Sequence, residues 1–282
     1  MRDSLGYRVF IHTAAVVVAV AVLAPFAWLL ISSIAAPADL LSRPLHWIPA
    51  HPSFSRYENV LFNPRNGSAA TFRAGMRNSA IVAASSVAIS LGVGIFGAYA
   101  FARLRFRFRR VILLLFLSTY MLPPIALVIS LYLTMARLHL LDTRLGLILV
   151  YCSFITPFVL WIMSGYFQSI PRELEDAARI DGCTRIGALF RVILPLARSG
   201  ILATALFGFL LAWDEFLYAL IFTSSLNSKT IPVAIAEFTG RHTVNFGMQA
   251  TGGILASLPP LAIAFVFQRY LVGGLASGAV KG

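Results

Sequence analysis

Charge is scarce in this chain. Only 12% of its 282 residues are Asp, Glu, Lys or Arg, about half the share usual in a soluble domain of that length. Lysine is rarer still. Neither Lys229 nor Lys281 follows the glycine spacing of a phosphate-binding loop, so the chain is not expected to bind ATP through one. Cysteine is almost absent, and Cys152 and Cys183 stand at no metal-ligand spacing, which leaves two small unpaired residues. The histidines include His12 in an apolar run and His139 in a short loop, and none lies beside a serine as in an intramembrane protease. With no nucleophile–base pair and no metal cluster, an enzyme is the weakest of the candidate classes.

Apolar residues fill the space that charge leaves. They make up 59% of the chain, with a mean hydropathy of +0.81. Several runs reach the roughly 20 residues needed to cross a bilayer. The expected fold class is therefore an all-α membrane protein with six transmembrane helices, near 9–35, 79–102, 111–135, 145–167, 199–222 and 251–272. The first apolar run is about twice the length of a signal peptide's hydrophobic region, which predicts an uncleaved helix. Pro25, Pro123-Pro124, Pro157 and Pro259-Pro260 interrupt four of these spans. Ordinary kinks or a cavity inside the bundle would both account for them.

The net charge of +12 does not imply nucleic acid, because the arginines flank apolar spans and interleave with no aromatic binding pattern. They suit the lipid bilayer instead, as orienting charges and headgroup contacts. Arg2, Arg8, the run Arg103, Arg105, Arg107, Arg109 and Arg110, then Arg269 and Lys281, fall on one side. That pattern predicts a multi-pass membrane protein with both termini cytoplasmic, and the plasma (inner) membrane is its expected location. The expected organisation is a cytoplasmic N-terminus (1–8), a first span with a long outer loop (9–77), a core of five helices (78–272) and a cytoplasmic tail (273–282).

One long hydrophilic stretch stands apart, ELEDAARIDGCTRIGALFRVILP at 173–195, within a segment running over 169–198. Pro171 suits a first helical turn, and Glu173, Glu175 and Asp176 follow where acids favour the helix dipole. Leu174, Ala177, Ala178 and Asp181 share one face, and the spacing pairs Glu175 with Arg179. Gly182 ends this helix, and Thr184 can cap a second one. In the second, Ile186, Leu189, Phe190 and Ile193 form an apolar stripe, closed by Leu194 and Pro195. A helix–turn–helix on the cytoplasmic surface is predicted, between the fourth and fifth spans. Its acidic face fits a docking element better than a headgroup-bound helix, which usually carries basic residues.

This stretch resembles the EAA motif of the membrane subunits of ABC importers. Asp176-Ala177-Ala178, Gly182, Val192 and Leu194-Pro195 fall at the family's spacing, with Asp176 where Glu is usual and Val192 where Ile is usual. NSAIVAASSVAISLGVGIFGAYAFARLRF (78–106), LAWDEFLYAL (211–220) and QRYLVGGLASGAVKG (268–282) are similar to the carbohydrate-uptake branch, with Asp214 replacing a usual Asn. The resemblance implies a permease subunit that forms an alternating-access pathway with a second permease, as a heterodimer. It further implies a cytoplasmic ABC ATPase dimer, which would use ATP and Mg2+, and an extracytoplasmic solute-binding protein delivering a carbohydrate. No cofactor is expected on this chain. Glu175, Asp176, Ala177, Ala178, Asp181, Gly182, Phe190, Leu194 and Pro195 would form the ATPase-coupling surface.

A second cluster lies about 22 Å along the fifth span, at 1.5 Å per residue. Asp214 and Glu215 are flanked there by Phe207, Trp213, Phe216 and Tyr218. Carboxylates beside aromatic faces suit a sugar, and ionisable groups at membrane depth usually face a bundle interior or water. Bonds from helix to helix explain the pair equally well. A third reading makes Asp214 and Glu215 the coupling site of an ion-gradient-driven transporter, but it leaves the hydrophilic insert without a role. The outer loop 223–250, with Lys229, Glu237, Arg241 and His242, is a candidate contact for the binding protein.

Overall fold

The computed structural model describes residues 5–40, 42, 47–49, 51–63, 67–238 and 245–279, with side chains within 6–268. Arg241, His242, Lys281 and half of the segment 1–8 lie outside the described residues. In chain order the helices are α1 (Leu5–Ile34), α2 (Pro37–Leu40), α3 (Ser55–Leu61), α4 (Gly67–Arg103), α5 (Arg109–Ser118), α6 (Pro124–Arg137) and α7 (Arg144–Ser169). There follow α8 (Arg172–Ile180), α9 (Arg185–Ala188), a π-helical turn (Leu189–Ile193), α10 (Leu194–Leu196), α11 (Arg198–Trp213), α12 (Leu217–Phe222), α13 (Ile231–Ala236) and α14 (Phe246–Ala279).

Among the described residues four helices are long and apolar enough to cross a membrane, over Gly6–Ile34, Gly67–Arg103, Arg144–Ser169 and Phe246–Gln268. Two bent pairs, Arg109–Met121 with Pro124–Arg137 (96°) and Arg185–Leu196 with Arg198–Trp213 (78°), raise this to six if each pair is one span. The third expected span (111–135) is thus not a continuous helix, and the fifth (199–222) is interrupted at 214–216, between α11 and α12. In the third, Leu122 and Pro123 are both extended, as a residue preceding proline tends to be. The prolines at 25, 157 and 259–260, by contrast, lie inside unbroken helices.

The chain divides into two compact units, Met1–Arg73 with Ala234–Leu258, and Ala74–Val233 with Pro259–Gly282. In the first, Arg56 closes the end of α1 by donating to the carbonyls of Ser33 (3.0 Å) and Ala35 (2.7 Å). Phe72 and Phe238 stack at 6.4 Å in the same unit. The second unit is held by α4, α7 and α11. A Cβ on Gly94 would stand 2.6 Å from Val159, so the glycine lets α4 and α7 approach closely, as small residues do between membrane helices. Val82, Ala83, Ile155, Val159 and Met163 are buried, and hydroxyls join the helices across the seam, Thr156 to Ser90 at 3.1 Å and Tyr166 with Ser199 at 2.6 Å.

At one end of this unit polar bonds pin loop to helix. Asn78 donates to the carbonyls of Leu226 (2.9 Å) and Lys229 (2.8 Å), and Arg144 donates to Asn78 Oδ1 (2.9 Å). Asp142 accepts from the backbone of Ser224 and Ser225, both at 2.9 Å, and from the Ser228 hydroxyl. Desolvation opposes the Asp142 charge, but these donors outweigh it and hold the carboxyl well below its ordinary range.

Candidate functional site

The hydrophilic insert forms two helical pieces around a glycine turn. Pro171 stands at the N-cap of α8, one position earlier than a first-turn residue. At the far end Cys183 N–H donates to Ala178 O (2.9 Å) and Gly182 N–H to Arg179 O (3.1 Å), while Gly182 has φ +88°. This is a Schellman closure, with glycine in the left-handed position that other residues resist. Thr184 then caps α9, its hydroxyl accepting from Gly187 N–H at 3.0 Å.

Glu175 does not pair with Arg179. Its carboxylate turns inward, accepting from the Tyr99 hydroxyl at 2.5 Å and lying 3.0 Å from Arg103 Nε. The Arg103 contact is one of charge rather than a directed hydrogen bond from Nε. Arg103 also donates through Nη2 to Ile170 O (2.9 Å), and Arg172 reaches Ala102 O (3.3 Å). Burial decides the pairing: Arg103 and Glu175 side chains are 4% and 10% exposed, where opposite charges attract far more than in water. Arg179, left outside, lies 4.0 Å from Asp176. The insert is thereby riveted to the end of α4.

Of the other expected coupling residues, Asp176, Ala177, Asp181, Gly182 and Pro195 are exposed, Leu194 is half-buried and Ala178 is buried. The apolar stripe of the second piece divides. Leu189 and Ile193 are buried, whereas Ile186 and Phe190 are exposed, the latter against Phe96 at 6.1 Å between centroids. The buried pair and the exposed pair lie on neighbouring sides of the stripe, and the chain winds as a π turn over Leu189–Ile193.

The second cluster occupies an unforeseen break. α11 ends at Trp213, the chain leaves helix over Asp214, Glu215 and Phe216, and α12 starts at Leu217. Glu215 repairs the break: its carboxylate accepts from the backbone of Tyr218 (2.8 Å) and Ala219 (3.1 Å) and from the buried Tyr151 hydroxyl (2.7 Å). Asp214, by contrast, is exposed and has no side-chain partner among the described residues. Asp214, Glu215, Phe216 and Tyr218 share a cavity of about 650 Å³. Phe207 lines a shallower one of about 230 Å³ with Asp214 and Glu215. Trp213 joins neither, being 3% exposed and stacked on Phe209 at 5.3 Å.

The larger cavity also takes residues that sequence reasoning missed, among them Tyr120, Ser130, Ser153 and Phe154. Tyr120 donates to Phe154 O at 2.5 Å, and Tyr218 stacks on the Phe154 ring at 6.4 Å. The available signal was the hydroxyl pair Thr119-Tyr120 just ahead of Pro123-Pro124. A cavity with aromatic walls, hydroxyls and one free carboxylate can accept hydrogen bonds from a polyol while packing on its apolar face.

Comparison with known proteins decides the family. The profile of the binding-protein-dependent transport system inner membrane component matches residues 76–276. The chain belongs to this family. It is a membrane subunit of an ABC transport system rather than an enzyme. Family relatives include the trehalose/maltose transport system permease protein MalG of Thermococcus litoralis, 33% identical over 100% of both chains. Another, the sulfoquinovosyl glycerol transport system permease protein SmoH of Agrobacterium fabrum, is 35% identical over 92% of this chain and 88% of its own. A solved structure of a bacterial ABC transporter involved in import of the acidic polysaccharide alginate superposes with a TM-score of 0.75. It is 25% identical, covering 96% of this chain and 99% of that one.

Proposed function

We propose that this chain is a permease subunit of an ATP-driven ABC importer for a carbohydrate. The observation that carries the reading is the full-length likeness to a trehalose/maltose permease, supported by the alginate importer's fold. In this reading six spans cross the membrane: the four long helices, the bent pair Arg109–Met121 with Pro124–Arg137 as one broken span, and α11 with α12 as another. Both termini and the 169–198 segment face the cytoplasm. Asp176, Ala177, Asp181 and Gly182 form the outer face of that segment and meet one domain of an ABC ATPase dimer, which uses ATP and Mg2+. Glu175 works from inside, passing the ATPase movement to α4 through Tyr99 and Arg103. A second permease completes the pathway, and an external solute-binding protein loads it.

Within the chain, the cavity beside Asp214 is the substrate-facing surface. Asp214 and Phe216 face the sugar, and Glu215 holds the broken helix open for them. Irregular backbone at membrane depth is stable only where its polar groups are satisfied, and the Glu215 bonds provide this.

The test is reconstitution of the chain with a co-encoded permease, ATPase and binding protein in proteoliposomes. Uptake of a labelled di- or oligosaccharide should require ATP and the binding protein together. Uptake driven by a proton or sodium gradient without ATP would overturn the proposal in favour of an ion-coupled carrier.

A further inference from the structure

A third cavity, of about 540 Å³, lies between the end of α4 and the α8–α9 segment. Arg103, Arg105, Arg172, Arg179 and Arg185 line it, with Leu104, Phe106 and only two carboxylates, Glu175 and Asp176. Those carboxylates do not neutralise it. Glu175 is consumed by Tyr99 and by the buried Arg103, and Asp176 stands 4.0 Å from Arg179 in an exposed contact, which solvent screens. Arg172 spends one donor on Ala102 O. Arg105 and Arg185 are exposed, with no side-chain partner among the described residues. Guanidinium groups gathered around one hollow repel one another, and an anion offering several oxygens relieves that repulsion while filling their planar donor forks.

Apolar groups also stand on the wall of the hollow, Leu104 and Phe106. α5 begins three residues beyond Phe106, at Arg109, with Val111, Leu114 and Leu115 more than half exposed. A ligand that fits both must carry an anionic phosphate next to hydrocarbon.

We propose that this arginine-lined cleft binds the phosphate of an anionic phospholipid headgroup, with the acyl chains lying along α5. Its position at the end of the apolar spans places it at headgroup depth, in the leaflet facing the hydrophilic insert. Because α8 and α4 both line the cleft, an occupant bridges the insert to the bundle independently of the Glu175 bonds. The site stands on the cleft's own chemistry and needs no assumption about the transported solute.

The experiment uses the full-length chain in a neutral detergent, titrated with dihexanoylphosphatidylglycerol, with dihexanoylphosphatidylcholine or with inorganic phosphate, and read by melting temperature. The phosphatidylglycerol should raise the melting temperature saturably, and the other two should not at the same concentrations. The Arg105→Gln/Arg185→Gln chain should bind it about thirtyfold more weakly, given the attraction per arginine near an anionic surface. Removing two charges from the same basic run outside the cleft, with Arg107→Gln/Arg110→Gln, should weaken binding less than about fivefold. Equal weakening in both variants would reduce the effect to diffuse positive charge and overturn the site. An equal response to phosphatidylcholine would overturn the need for an anion. A response to inorganic phosphate as strong as that to phosphatidylglycerol would overturn the lipid as its source.

Discussion

The Tyr99 hydroxyl donates to Glu175 across 2.5 Å, and Arg103 closes on the same carboxylate at 3.0 Å. Glu175 and two groups more than seventy residues before it in the chain thus form one buried joint between α4 and α8. Breaking a buried pair by removing one partner costs roughly 3–5 kcal/mol, because the other charge is stranded. Glu175→Ala is therefore expected to destabilise the chain steeply, and Tyr99→Phe to destabilise it less, by about 1.5–3 kcal/mol for a bond to a charged acceptor. The apolar double replacement Arg103→Met/Glu175→Leu should recover much of the loss. Thermal unfolding of these three variants, and of Arg103→Met and Glu175→Leu alone, checks this, and strictly additive losses would show that the joint is not a coupled unit.

Gly182 offers a cleaner mechanical probe. Nothing lies within 4 Å of a Cβ built there, yet its φ is +88°, so a substitution meets backbone strain and no clash. Gly182→Val should cost about 1–2 kcal/mol and distort the turn, whereas Gly182→Asn should be tolerated far better. In a reconstituted transporter the valine variant should lose most uptake while ATP hydrolysis continues. Uptake unchanged in the valine variant, with assembly intact, would remove the turn from the coupling path.

How legible these features were in the sequence follows from the range of the interactions behind them. The insert was readable nearly residue by residue, because caps, glycine turns and helix faces are local: Gly182 and Thr184 both act as their spacing suggests. The Glu175 joint was not. Sequence spacing offered Arg179, four residues on, and only folding brought Arg103 nearer in a drier place. The broken spans show the same limit. Proline announced the break after Leu122, but three other proline sites stay helical. The break at 214–216 carries neither proline nor glycine and depends on a carboxylate finding Tyr151 on another helix. The cavity beside it, drawn from α6 and the turn before it, α7, the break itself and the start of α12, had no contiguous signature.

Asp214 and Glu215 are adjacent in sequence and opposite in role. Glu215 makes three hydrogen bonds that hold the break, and Asp214 makes none with its side chain among the described residues. Glu215→Ala is expected to destabilise the chain by roughly 2 kcal/mol or more, leaving a buried hydroxyl and two backbone donors without partners. Asp214→Ala should change stability by less than about 0.5 kcal/mol and reduce sugar uptake with assembly intact. Melting temperatures and initial uptake rates of the two variants, measured together, separate the roles. Normal transport by the Asp214 variant would return that residue to a passive wall of the cavity.

Just beyond α12, Asp142 ties the turn before α7 to the 224–228 loop. Although desolvation pushes its pKa up, the Ser228 hydroxyl and the backbone donors of Ser224 and Ser225 bring it well below the ordinary 3.8. A group with a depressed folded-state pKa contributes stability that is complete above its unfolded value and is lost as pH falls through the folded one. Asp142→Asn keeps the size, and Asn tolerates the left-handed φ of 55° there, so the variant removes mainly the charge. The melting temperature of the wild type should exceed that of the variant by a steady margin from about pH 7 to about pH 5, and the margin should shrink below about pH 4. A margin that held constant into stronger acid would mean that the charge on Asp142 contributes nothing to the tie, leaving neutral hydrogen bonds to hold the loop.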